Sequence, residues 1–273
     1  MMNNNYAVEK QVNNVLKVWK SSGGTIRPHF MLTGPSGSGK SHLINKLAEY
    51  HEVNFVEINA AQLTKEGTSG NSLSKALAPI QQAGGRLTIV FVDEFDKLFI
   101  SGNNNSDLAH ETTNGVQNEF LRILEADSTQ VFGDYGKYNT VSCETILFIF
   151  AGAFNNTESI DVDKLRDFGI KTEFLGRVNL VYNLEKLRLE SLGFILKGSK
   201  LFKDYLNLFS NVDPEEAHSC IMRVVEQQYE KNTLGVRMLH GLTHEYFLKG
   251  GTLEKEQVEK ITFQTAFKLE DMQ

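Results

Sequence analysis

Brief apolar runs alternate along this chain with longer stretches in which apolar residues recur every three or four positions. The runs at Phe30–Thr33, Asn54–Ile58, Leu87–Val92, Thr145–Phe150 and Val178–Tyr182 are bounded by Gly, Asn or charged residues, as strands buried on both faces tend to be. Helical spacing fills the intervals. The pattern therefore predicts βαβ crossovers and an open parallel sheet with helices on both faces. Ahead of the first run, residues 1–28 read as a helical lead-in with Val8, Val12, Leu16 and Trp19 on one stripe.

After Tyr182 the pattern becomes almost wholly helical. One helix start is explicit: Asp213 stands as N-cap, Pro214 in the first position, and Glu215 and Glu216 in the first turn. Ile221, Val224, Val225 and Gln228 continue it at helical spacing. The expected organisation is an α/β domain over 29–182 and a small helical domain over 183–273. The polar stretches 101–107 and 132–140 read as exposed loops.

Composition narrows the class without changing this picture. The 273 residues are 41% hydrophobic and 23% charged, ordinary for a globular chain and unlike a disordered one. The longest apolar runs fall far short of a membrane span. The polar opening "MMNNNYAVEKQ" predicts no secretory leader. A net charge of −6 offers no general attraction to nucleic acid, although a local basic groove is compatible with it. Cys143 and Cys220 match no metal spacing and read as reduced thiols of a cytoplasmic protein. His240 and His244 lie one helical turn apart but lack the third ligand that zinc needs.

Chemistry concentrates in "GPSGSGKSH", Gly34 through His42: Gly34, Pro35, Ser36, Gly37, Ser38, Gly39, Lys40, Ser41 and His42. It fits G-x-x-x-x-G-K-[ST] and lies between an expected strand and an expected helix. Such glycines let successive backbone N–H groups converge on phosphate oxygens at a helix N-terminus. Lys40 would then reach the β- and γ-phosphates of ATP, and the Ser41 hydroxyl would coordinate Mg²⁺. A glycine-rich turn with an incidental lysine is the plainer alternative. Downstream, "TIVFVDEFDKL" ends a strand in acids. Asp93 suits the Mg²⁺ shell and Glu94 the polarising of an attacking water, whereas acids at such a position also serve as helix N-caps.

The ordered blocks "GPSGSGKS", "IVFVDEFDKL", "NGVQNEFLRILE", "ILFIFAGAF", "FGIKTEFLGRVNL" and "LGVR" resemble the AAA+ ATPases, and within them the ClpX/HslU branch of ring-shaped protein unfoldases. The likeness runs from about residue 29 to the C-terminal end. It implies a P-loop α/β domain followed by a helical lid, a homo-oligomeric ring, most simply a hexamer, and ATP held between neighbours. It further implies that Arg177 matches the arginine finger reaching the neighbour's γ-phosphate, and Arg237 the lid arginine that senses nucleotide in cis. Either arginine also fits an ordinary surface salt bridge.

Departures from the family qualify the expectation. Where the first pore loop carries an aromatic grip, this chain has Thr68 and Ser69 in "KEGTSGNSL"; a threonine cannot supply the contact area of an aromatic ring. Lys65 and those hydroxyls would suit a phosphate-bearing strand. Phe132, Tyr135 and Tyr138 stand near the expected second pore loop, or simply pack a hairpin. The cysteine count excludes a ClpX-type zinc domain. Only 13 residues separate "GAF" from "FGI", too few for the loop that docks ClpP, so no ClpP partnership is expected. "AGA" stands where a water-positioning polar residue usually follows the strand, leaving Asn155 as a candidate. Three functions remain open: remodelling of a protein substrate, handling of nucleic acid, and a nucleotide-gated scaffold with little turnover.

Overall fold

The computed structural model describes residues 5–64, 71–99, 107–133 and 136–253, with the backbone alone for 107–113. By its contacts the chain divides into two compact units, one spanning 5–35 and 39–185, the other 186 onward together with 36–38.

The first unit is α/β. Its elements are α1 (Tyr6–Ser21), β1 (Phe30–Thr33), α2 (Lys40–His51), β2 (Asn54–Asn59), β3 (Leu63–Thr64), β4 (Asn71–Ser72), α3 (Leu73–Ala76), β5 (Thr88–Asp93), α4 (Asp107–Glu125), β6 (Ser128–Phe132), β7 (Tyr138–Ser142), β8 (Ile146–Gly152), α5 (Val162–Asp167), α6 (Thr172–Arg177) and β9 (Leu180–Asn183). Five strands form a sheet ordered β2-β5-β8-β1-β9, every pairing parallel. The expected α/β class and parallel sheet are thus present, with the last strand shifted towards Asn183.

Alternation along the strands divides the apolar load between two faces. Phe30, Leu32, Ile89, Phe91, Leu147 and Ile149 face α1 and α2 and close over Val12, Leu16, Trp19, Ile44 and Leu47. Met31, Val90, Val92, Phe148 and Phe150 face the opposite side. There Phe95 packs within 4.8–6.0 Å of Phe99, Phe120, Phe150 and Phe174, centroid to centroid. The stripe on α1 is therefore a wall of the core, and Trp19 is fully buried.

One expectation needs correcting. Residues 132–140 do not form a simple loop: β6 and β7 make an antiparallel hairpin in which Phe132 pairs with Tyr138, their rings edge to face at 5.7 Å. Gln81 clamps it, donating to Phe132 O at 2.9 Å and accepting from the Asn139 amide at 2.8 Å. Among its described residues the hairpin buries only Val131, so its polar strands carried no apolar alternation to reveal them. Tyr135 lies outside the described residues, as do Lys65 and most of 101–107.

The second unit contains α7 (Leu189–Gly198), α8 (Lys200–Leu208), α9 (Pro214–Gln228) and α10 (Arg237–Leu248). Asp213 caps α9 as expected, its carboxylate accepting from Glu215 and Glu216 N–H groups at 2.7 and 3.0 Å. Ile221, Val224 and Val225 join Leu192, Leu196, Phe202, Leu239 and Phe247 in a separate core, while Gln228 is exposed. His244 accepts or donates at the Tyr205 hydroxyl, 2.8 Å away. Both cysteines are free, and burial raises the Cys143 thiol to about 11. Among the described residues no helix is long and apolar enough to cross a membrane.

His29, buried just before β1, accepts the Phe148 N–H at Nδ1 over 3.0 Å. Burial and then the Arg27 charge lower its pKa to about 4. The fold therefore holds the imidazole neutral while the unfolded chain titrates near 6.5. Its contribution is complete above pH 6.5 and is lost as pH falls towards 4, up to about 3 kcal/mol. Urea midpoints measured between pH 7 and pH 4 should fall more steeply for the native chain than for His29→Gln.

Candidate functional site

All five parallel strands end on one edge, and the loops that follow them gather there, where an open α/β sheet places its ligands. Gly34 leaves β1 at φ 140°, and a Cβ there would run into the Leu184 carbonyl. Gly39 takes φ 94° immediately before α2 opens at Lys40, a left-handed turn that suits glycine. The Lys40 side chain is buried, its Nζ donating to Gly34 O at 2.7 Å and Pro35 O at 3.1 Å. The ammonium is thus folded across the loop that precedes its own helix. Ser38 Oγ is buried with no hydrogen-bond partner among the described residues, and His42 is exposed on α2.

Residues 36–38 group with the helical unit. There the Arg237 guanidinium, at the start of α10, donates to Ser36 Oγ at 3.3 Å.

From the neighbouring strand end comes the acidic half. Asp93 closes β5, and the Ser41 hydroxyl donates to its Oδ2 at 3.3 Å. Glu94 follows in the left-handed region at φ 54°, its N–H tied to Asp93 Oδ1 at 2.8 Å. That turn carries the Glu94 carboxylate away from the strand direction, and Asn59 Nδ2 donates to its Oε2 at 3.1 Å. Asn59 went unnoticed in the sequence. Nothing local marks it, since Asn59 reaches Glu94 only because the fold pairs it in register with Asp93. Glu57, two positions earlier on β2, has its carboxyl held above the ordinary range by burial and then by the Asp93 charge.

Lys40, Ser41, Asp93 and Glu94 are therefore brought to one edge. Arg177 does not join them within the chain: it ends α6 and pairs with Glu125, Nη2 to Oε1 at 2.7 Å and Nε to Oε1 at 3.0 Å. Asn155 sits exposed in a turn at φ 55°. The small residues before it have a local cause, because a Cβ on Gly152 would stand 2.8 Å from the buried Asp96 carboxylate, which itself accepts the Phe154 N–H at 3.1 Å. Thr68 and Ser69 lie outside the described residues.

The residues present fit a phosphate ligand with a hard cation. A buried lysine and the first N–H groups of α2 are anion donors, and a hydroxyl beside a carboxylate is an oxygen pair of the kind Mg²⁺ takes.

Residues 30–174 match the family of ATPases associated with various cellular activities, AAA. The chain is 30% identical over 281 aligned positions to "ATP-dependent Clp protease ATP-binding subunit ClpX 2" of Wolinella succinogenes, covering 89% of this chain and 70% of that protein. It is 29% identical to the ClpX subunit of Treponema denticola, with 81% and 65% covered, and 28% identical to that of Borrelia duttonii, with 86% and 66% covered. The chain thus spans about two thirds of the length of these relatives.

Ser38→Ala should leave the thermal midpoint unchanged or raise it, because an unsatisfied buried hydroxyl costs about 1–3 kcal/mol. A loss of stability on calorimetry would mean that the hydroxyl is bonded in the folded chain.

Proposed function

The chain belongs to the AAA+ ATPases, on their ClpX-like side, and from that membership we propose that it works as a homo-oligomeric ring, a hexamer, that spends ATP hydrolysis on remodelling or unfolding a protein substrate. The observation that carries this reading is the meeting of Ser41 and Asp93 at 3.3 Å, with Glu94 beside them and Lys40 buried across the glycine loop.

In this reading the N–H groups around Gly37–Ser41 and the Lys40 ammonium hold the β- and γ-phosphates. Ser41 and Asp93 would hold Mg²⁺, which neutralises phosphate charge when bound. Glu94 accepts a proton from water as the water oxygen bonds to the γ-phosphorus. The bond from that phosphorus to the β–γ bridging oxygen breaks, its electron pair staying with ADP, and inorganic phosphate departs. Asn59 fixes the Glu94 carboxylate through its 3.1 Å bond. Arg177 acts on the phosphate bound by the neighbouring subunit, where a trans guanidinium is worth roughly 10³–10⁵ in rate in GTPases. Arg237 reports phosphate occupancy from the first turn of α10.

The relatives bear the name of a Clp protease subunit, but the short 155–167 connection favours action without a peptidase partner. The acidic charge favours a protein substrate over nucleic acid. Phosphate release should accordingly rise with an unfolded protein and not with DNA.

Glu94→Gln should bind ATP and hydrolyse it at least 10²-fold more slowly, with the ring persisting in light scattering. Arg177→Ala should bind ATP but turn it over roughly 10³-fold or more slowly, leaving a small measurable residue. Mixing it with Lys40→Ala subunits should restore part of the activity, since seams in which Arg177→Ala supplies the loop and Lys40→Ala the finger are complete, while the reverse seams lack both. A mixture as inactive as its parts would exclude the shared site.

A further inference from the structure

We infer that Glu125 is a positioning residue for the Arg177 finger, fixing the plane of its guanidinium before a neighbour's phosphate arrives. The inference rests on the reading of Arg177 proposed above and adds a residue that reading does not contain.

Four observations point the same way. Arg177 is the last residue of α6, and its Nε and Nη2 both donate to one oxygen, Glu125 Oε1, at 3.0 and 2.7 Å. Two donors from one edge onto a single acceptor fix the plane of the fork, which a lysine could not reproduce. The opposite nitrogen, Nη1, makes no bond among the described residues and remains the free end of the finger.

Next, the pair contributes little to the fold. The side chains are 53% and 46% exposed, and ion pairs so placed add almost nothing to stability. A merely architectural purpose therefore does not account for the arrangement.

Third, Glu125 occupies a position that penalises it. It is the final residue of α4, a helix of 19 residues, where the partial negative charge of the helix end disfavours a carboxylate. The Arg177 guanidinium offsets that cost.

Fourth, the finger borders an open cavity. A cavity of about 410 Å³ is lined by Arg27, His29, Leu124, Arg177 and Leu180 among others. Arg27 is committed to the Cys143 carbonyl at 2.9 Å, and His29 is held neutral. At Arg177 the nitrogen left uncommitted is Nη1, and Glu125 determines that choice.

The test uses the full chain in its assembled form with Mg·ATP. Glu125→Ala should lower kcat roughly 10- to 100-fold, the scale of a misaimed catalytic group, with KM within about twofold and the melting temperature unchanged. Glu125→Gln, which keeps an acceptor oxygen but not the charge, should fall between. Placed on Arg177→Ala, Glu125→Ala should add no further loss. In mixtures with Lys40→Ala subunits it should be rescued as Arg177→Ala is. Unchanged or increased kcat in Glu125→Ala, with Arg177→Ala inactive, overturns the positioning role alone. An equal loss from Glu125→Ala on the Arg177→Ala background also overturns it. Full turnover in Arg177→Ala overturns the finger reading, and the role of Glu125 with it.

Discussion

The central strands of a parallel sheet covered on both faces can meet solvent only at their ends, and here that constraint decides where chemistry happens. Phe30, Leu32, Phe91 and Ile149 are committed to one face, Met31, Val90, Phe148 and Phe150 to the other. Polar groups on the central strands are therefore pushed to the last residue or beyond it. Asp93 ends β5, Asn59 ends β2, and the glycine loop leaves β1. Parallel pairing brings these ends to one rim. The active groups converge because the core leaves them nowhere else.

The rim is built with few charges. Lys40 is its buried cation, and the backbone supplies much of the remaining positive potential through the start of α2. The acids Glu57, Asp93 and Glu94 crowd the other side, with the Glu57 carboxyl displaced upward by burial and by the Asp93 charge. Each acid is partly held by a neutral partner: Ser41 for Asp93, Asn59 for Glu94. Neutral hydrogen-bond donors orient carboxylates without cancelling their charge, so the acids stay available to a cation or a water proton.

How much of this was legible in the sequence depended on how locally each feature was encoded. β1 could be read residue by residue because four consecutive buried positions sit between a histidine and a glycine. The α9 cap could be read because Asp213-Pro214-Glu215-Glu216 satisfies its own backbone. Lys40, Ser41 and Asp93 were found because the glycine loop and the acid-terminated strand are short motifs. The hairpin of β6 and β7 was hidden because Gln81, far away in sequence, supplies what its polar strands lack. Asn59 and Glu125 were missed for the same reason, since each matters only through a partner 35 or 52 residues away. The small residues after β8 are explained by Asp96 pressing on Gly152, which no spacing rule could foresee.

The pairing of β1 carries a consequence for how the molecule is made. β1 lies inside the sheet, and its two neighbours are the strands reached last: Phe30 sits opposite Ile149 on one side and Leu180 on the other. The segment that cradles the ligand leaves the ribosome early yet has no lateral support until most of the α/β unit has been synthesised. Such long-range pairing is slow to form, and meanwhile an apolar strand waits unpaired. Competence to hold a triphosphate thus matures late in synthesis.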